Sequence, residues 1–181
     1  ELSEKYSAEK FRFGLEQEYT FLRANSGWPL GFPAEDAFPE PQGKYYCGVG
    51  ADRIVGRKIV DEHLFACLDA GLLIAGINAE VMPGQCEYQN GDGSVFSNPL
   101  KVADDLVVSR YLMQLIGEKY GVVASLEPKP QKGDWNGAGA HTNFSTKSMR
   151  ESDSDFQEIL KRLHRGHEEH IKVYGVGIEE R

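Results

Sequence analysis

Long apolar runs are missing from this chain. None approaches the roughly 18 residues that a bilayer-crossing helix needs, which argues against a membrane-spanning helix. Cysteine is scarce: Cys47, Cys67 and Cys86 are odd in number and far apart. They match no zinc spacing and suit a reducing compartment better than a disulfide framework. An excess of positive charge is missing as well. The formal net charge is −8, which argues against a general binder of nucleic acid. There is no Walker-type lysine loop. The glycines of 48–50 and 137–139 lack the third glycine and the strand–turn–helix setting of a dinucleotide fingerprint. The first residues, Glu1 to Lys5, carry neither an initiator Met nor a signal-peptide pattern, and both ends read as cuts through a longer protein.

What is present suffices for one domain. The chain has 181 residues, 40% hydrophobic and 27% charged, enough to bury a core and unlike a disordered segment. Residues 11–22 alternate, with Phe11, Phe13, Leu15, Tyr19 and Phe21 on one face and Gly14, Glu16, Glu18 and Thr20 on the other. This predicts a strand with an apolar and an acidic side. Residues 24–46, rich in proline, glycine and aromatics, read as a long ordered loop. Residues 52–70 predict a helix stopped by Gly71, with Ile54, Val60, Leu64, Ala66 and Leu68 partly facing a core. Two strands follow, over 72–82 and 84–90, joined near Pro83-Gly84. Asn98-Pro99 opens a helix to Tyr120 with Val108, Leu112, Leu115 and Ile116 at helical spacing, closed by Gly121. Strands over 122–126 and 140–146 flank a stiff turn at 127–130. A last helix is predicted over 153–173, with Phe156, Ile159, Leu160, Leu163 and His167 along one side. The order of elements suggests an α+β or mixed domain.

The chemistry lies in carboxylates. Glu16 and Glu18 share one side of a strand, where like charges raise each other's pKa unless a cation intervenes. Taken alone, Glu-x-Glu is equally a solvated strand face. Glu80 and Glu87 flank Met82-Pro83-Gly84, whose tight turn allows their approach; an exposed hairpin end is the alternative. His141 ends a run of small residues, Gly137 to Ala140, that permits close backbone approach to a ligand. Oxygen ligands with one imidazole suit a divalent Mg or Mn ion. The histidines at 167 and 170 stand three apart rather than four, so they are not the zinc protease pair and read as a solvated helix face.

Five blocks carry a resemblance: Gly-Leu-Glu-Gln-Glu-Tyr-Thr (14–20), Gly-Trp-Pro-Leu-Gly-Phe-Pro (27–33), Pro-Gln-Gly-Lys-Tyr-Tyr-Cys-Gly-Val-Gly-Ala-Asp-Arg (41–53), Gly-Ile-Asn-Ala-Glu-Val-Met-Pro-Gly-Gln-Cys-Glu-Tyr-Gln (76–89) and Asp-Trp-Asn-Gly-Ala-Gly-Ala-His-Thr-Asn-Phe-Ser-Thr-Lys-Ser-Met-Arg (134–150). Together they resemble glutamine synthetase of the eukaryotic type. The resemblance implies an α+β fold, with an antiparallel or mixed curved sheet flanked by helices. Residues 1–181 would form part of the catalytic domain, without the N-terminal domain and the C-terminal part. The implied activity is ATP-dependent ligation of ammonia to L-glutamate through γ-glutamyl phosphate, with two Mg or Mn ions.

By position, Glu16, Glu80 and Glu87 are implied ligands of one ion and Glu18 and His141 of the other, and these five are the implied catalytic residues. Glu87, Tyr88, Gln89, Asn90, Gly91 and Asp92, with Asn143, Phe144 and Ser145, match stretches that contact ATP. Trp135, Asn136 and Gly137 match those that hold glutamate, and Arg181 an arginine that meets its carboxylate. Also implied are a homo-oligomer with active sites between subunits, no nucleic-acid or membrane partner, and a cytoplasmic location, with plastid or mitochondrial matrix as alternatives. Arg12, Cys86 and a short insertion within 93–102 depart from the family pattern. The 181 residues alone are expected to lack turnover. Two rivals stand: a ligase for another amine, and a shortened non-catalytic paralogue that binds nucleotide or partner subunits.

Overall fold

The computed structural model describes residues 2–34, 37–91 and 99–180. Asp92, Asn98 and Arg181 lie outside the described residues, as do positions 93–97 of the expected insertion. The alternating segment forms strand β1 (Arg12–Arg23). Its odd face buries Tyr19 and Phe21 almost completely, and Glu16 and Glu18 project from the even one.

The other strands are β2 (Ile74–Ala79), β3 (Gln85–Asn90), β4 (Val122–Ser125) and β5 (Ala140–Ser145). Their order is β2-β3-β1-β4, with β5 also against β1, and every pairing is antiparallel. The sheet is therefore antiparallel rather than mixed. One edge of β1 pairs with β3 over Leu15–Thr20. The other is divided between β5, along Arg12–Gln17, and β4, along Thr20–Arg23. Glu18 and Tyr19 thus face a gap between β5 and β4.

A short helix, α1 (Leu2–Lys5), precedes β1. Helices α2 (Arg57–Asp69) and α3 (Pro99–Tyr120) cover the apolar face, where Tyr19, Phe21, Tyr88, Ile59, Met113 and Ile116 form the heart of the core. The helix expected from residue 52 begins at Arg57. Gly56 has a φ of 82°, which a right-handed helix does not accommodate, and Arg53 and Ile54 instead donate to the Gly50 carbonyl in a turn. At the other end Gly71 stops the helix as expected: its N–H reaches Leu68 O and that of Leu72 reaches Cys67 O, the paired bonds of a Schellman ending.

The buried faces match the expected ones only in part: Val60, Ala66 and Ile116 lie in or against the core as expected. The buried stripe of α2 is Ile59, Val60, His63 and Cys67, with Leu68 exposed. That of α3 is Val102, Asp105, Ser109, Met113 and Ile116, while Val108 and Leu115 face outward. Polar residues occupy the stripes because each finds a partner inside. Asp105 accepts the Leu73 N–H at 3.0 Å, Ser109 Oγ bonds Tyr88 Oη at 2.7 Å, and the Ser109 carbonyl bonds His63 Nε2 at 3.0 Å. A satisfied buried polar group costs little.

The last helix is three helices: α4 (Lys147–Glu151), α5 (Asp153–Arg165) and α6 (His167–Ile171). Thr146 caps α4 through Met149 N–H. Ser152, extended at φ −145° and ψ 120°, separates α4 from α5 and caps the latter. Gly166, at ψ 1°, breaks α5 from α6. The side expected to pack leaves Phe156, Leu160 and Leu163 exposed. No helix among the described residues is long and apolar enough to cross a membrane.

Candidate active site

The register of the sheet assembles the acids. Glu18 on β1 lies directly opposite Glu87 on β3, and Glu87 lies opposite Asn78 on β2. One turn beyond β2, the Glu80 N–H donates to Gln85 O at 2.8 Å and the Gln85 N–H to Met82 O at 3.0 Å. That turn returns Glu80 to the row. Gly84 makes it possible: its φ is 77°, and a Cβ there would stand 2.3 Å from the Leu30 carbonyl oxygen.

The outcome is a trio, Glu18, Glu80 and Glu87, whose oxygens lie within 4.8 Å of one another, all buried. Among the described residues it is the one group of three or more such ligands. Glu16 sits two residues along β1, roughly 7 Å away in strand rise, opposite His141 on β5 and Gln89 on β3. Its carboxylate accepts from Asn143 Nδ2 at 2.5 Å and meets His141 Nδ1 at 3.3 Å. The geometric grouping differs from the expected partition of ligands. Glu18, not Glu16, joins Glu80 and Glu87, and Glu16 joins His141. Register decides this, because direct cross-strand neighbours approach more closely than residues offset by two.

The two groups differ in character. Burial, then the charges of Glu18 and Glu87, push the Glu80 carboxyl up to about 7, with a hydrogen bond to Glu87 adding to it. Glu18 accepts the Gly139 N–H at 2.7 Å, and Glu80 accepts from Asn78 Nδ2 at 3.1 Å and its neighbour Val81 N–H. The Asn143 amide, with His141, holds Glu16 below its ordinary value, so Glu16 stays ionised. A donor set of three buried carboxylates within 4.8 Å of one another fits a hard divalent cation. The more open Glu16–His141 pair, with side chains 35% and 57% exposed, fits a second ion that has other ligands.

The remaining expected residues divide by face. Gln89 stands on the acidic side, its amide donating to Asn78 Oδ1 at 2.7 Å and to Glu87 Oε1 at 2.5 Å. Tyr88 and Asn90 turn their side chains into the core, the latter donating to Val102 O at 3.0 Å, which leaves only backbone for a nucleotide. Gly91 donates its N–H to Leu73 O. Phe144 stacks on Phe13, and Ser145 Oγ accepts from Arg150 Nη1. Trp135 packs on Phe32 and Phe38, with Trp28 against the same rings. The Asn136 N–H donates to Gln42 Oε1 at 2.7 Å, and Gly137 O accepts from Gln85 Nε2 at 2.9 Å. Residues 135–139 are thus tied to the loop of 24–46 and to Glu18.

Sequence reasoning missed Asn78, Gln85 and Gln17. Asn78 carried a signal, being two residues before Glu80 on the same strand face. Gln17 carried another, as a polar residue set between Leu15 and Tyr19 on the apolar face of β1.

The sequence profile described as glutamine synthetase, catalytic domain, matches residues 3–158. A glutamine synthetase of Streptomyces viridochromogenes is 55% identical over 183 aligned positions, covering 100% of this chain and 51% of that protein. One of Streptomyces hygroscopicus is 51% identical, covering 99% of this chain and 52% of the relative. A glutamine synthetase cytosolic isozyme of Medicago sativa is 55% identical, covering 93% and 47%. The chain spans about half the length of the curated relatives it matches. With the family profile over most of its residues and an antiparallel sheet that gathers buried carboxylates, the chain belongs to the glutamine synthetase catalytic-domain family.

Proposed function

We propose that the protein takes part in ATP-dependent ligation of ammonia to L-glutamate, giving L-glutamine by way of γ-glutamyl phosphate. The observation that carries this reading is the buried trio Glu18, Glu80 and Glu87 in a chain of this family. In this reading the trio holds one Mg or Mn ion, and Glu16 with His141 contributes to a second. Such ions supply the positive charge that neutralises transferring phosphate oxygens and aligns them for in-line displacement.

The chain's own residues prepare the site. The Gly139 N–H and the Asn78 amide fix the carboxylates of Glu18 and Glu80. Gln89 spans Glu87 and Asn78. Asn143 keeps Glu16 charged. The backbone of 88–91 and the amide of Asn143 flank the acidic face where a nucleotide would lie. Trp135, Asn136 and Gly137, braced by the aromatic loop, would orient glutamate and limit water, which competes with ammonia for an acyl phosphate. A homo-oligomer and a cytoplasmic location belong to the same proposal; the Medicago relative, a cytosolic isozyme, supports the second.

The test is glutamine formation by the intact protein from glutamate, ATP, ammonia and Mn. Chelation should abolish it and added Mn restore it, and Glu18→Ala or Glu80→Ala should abolish it permanently. Near-normal turnover in either variant refutes the ligand roles. Turnover with another amine but not with ammonia refutes the substrate.

A further inference from the structure

Gln17 stands between the two acidic positions of β1 but points the other way. It is 2% exposed on the face that otherwise buries Tyr19 and Phe21. Both ends of its amide are engaged. Nε2 donates at 2.6 Å to the backbone carbonyl of Glu18, the residue facing the gap between β4 and β5. Oε1 accepts from Arg110 of α3 twice, from Nε at 2.8 Å and from Nη2. A planar guanidinium with two N–H groups on one oxygen fixes that oxygen's position more tightly than a single bond.

We infer that Arg110 is a positioning residue: through Gln17 it sets the carbonyl of Glu18, and with it the stretch of β1 that presents Glu16 and Glu18. The inference rests on the metal-ligand reading proposed above. The physical case is local. Over Arg12–Gln17 the outer edge of β1 is held by β5 and over Thr20–Arg23 by β4. At Glu18 that edge has the Gly139 carbonyl, which takes the Glu18 N–H, and the Gln17 side chain, which supplies a donor to the Glu18 carbonyl. Without Arg110 the Gln17 oxygen is buried and loses both donors, so the amide turns away to find another. The Glu18 carbonyl then loses the Gln17 donor, and β1 is held less firmly at the residue that carries the carboxylate. A guanidinium bonded to a neutral amide also avoids adding a carboxylate beneath two that already repel. Partners that orient metal ligands without touching the metal commonly change affinity about 10- to 100-fold.

The experiment is Mn binding to the intact protein, read from the electron paramagnetic resonance of free Mn, beside a thermal melt of each variant. Arg110→Met should weaken Mn binding about tenfold or more. Gln17→Met, close to isosteric, should do the same from the strand side, so a folding failure of one leaves the other to decide. Arg110→Lys, with a single bond to Oε1, should fall between. Met113→Ala is the control. It loosens the same helix at a core position 2% exposed and should lower the melting temperature without weakening Mn. Equal Mn affinity in Arg110→Met, Gln17→Met and wild type overturns the inference while leaving the metal reading intact. Weakening in Met113→Ala to the same degree shows general loosening and also overturns it. Absence of Mn binding in wild type overturns the metal reading and this inference with it.

Discussion

Glu80 is the residue on which proton and cation compete. Its carboxyl is raised to about 7, first by burial and then by Glu18 and Glu87. An acid whose folded value lies above its unfolded value of 4.5 holds its proton more tightly when folded. The metal-free protein therefore loses stability as pH rises from about 4.5 to about 7. A cation at the trio must displace that proton. Apparent Mn affinity should rise with pH, level off above about 7, and be accompanied by proton release. Titration calorimetry in two buffers of different ionisation enthalpy checks this; identical heats and a flat pH profile between 6 and 8 would show no linked proton. At this scale much was legible from the chain itself. The alternation around Glu16 and Glu18 placed both on one face. It did not reveal which of them meets Glu80 and Glu87, because that depends on register between strands about 70 residues apart in sequence, and no local pattern encodes it.

The elements were legible in kind and order, and less so in their faces. Asp105 and Ser109 look like solvent-facing residues of α3, yet both are buried because Leu73 and Tyr88 supply partners. Val108 and Leu115 look like core and are exposed. A pattern of apolar residues fixes a helix's rotation only when buried polar groups are few, and here they are not. The hairpin of β2 and β3 was read correctly at its turn, and the turn invites a graded test. At Gly84 an added methyl meets both a positive φ and the Leu30 carbonyl at 2.3 Å. At Gly121 the φ is 64° with nothing within 4 Å. Gly84→Ala should cost about 2–4 kcal/mol and Gly121→Ala about 1 kcal/mol, measured by urea unfolding. Equal costs would mean that the Leu30 carbonyl yields.

Across the whole molecule, the acidic site joins parts that the chain keeps far apart: β1, the β2–β3 hairpin and the segment ending at Gly139. An ion that binds only this assembled arrangement stabilises everything that assembles it. Mn at about 100 times its dissociation constant should add about 2.7 kcal/mol, seen as a higher melting temperature. Glu80→Gln should remove most of that increment; an equal increment in the variant would place the ion elsewhere. The aromatic cluster at the border of this site has an optical corollary. The chain has two tryptophans, and both sit in one group of rings, Trp28 and Trp135 around Phe32 and Phe38. Tryptophan emission from this chain therefore originates at a single spot, where the proline-rich loop meets the segment leading to Gly139. Its wavelength and quenching report on that junction, and a ligand that draws the two together will be visible without any label.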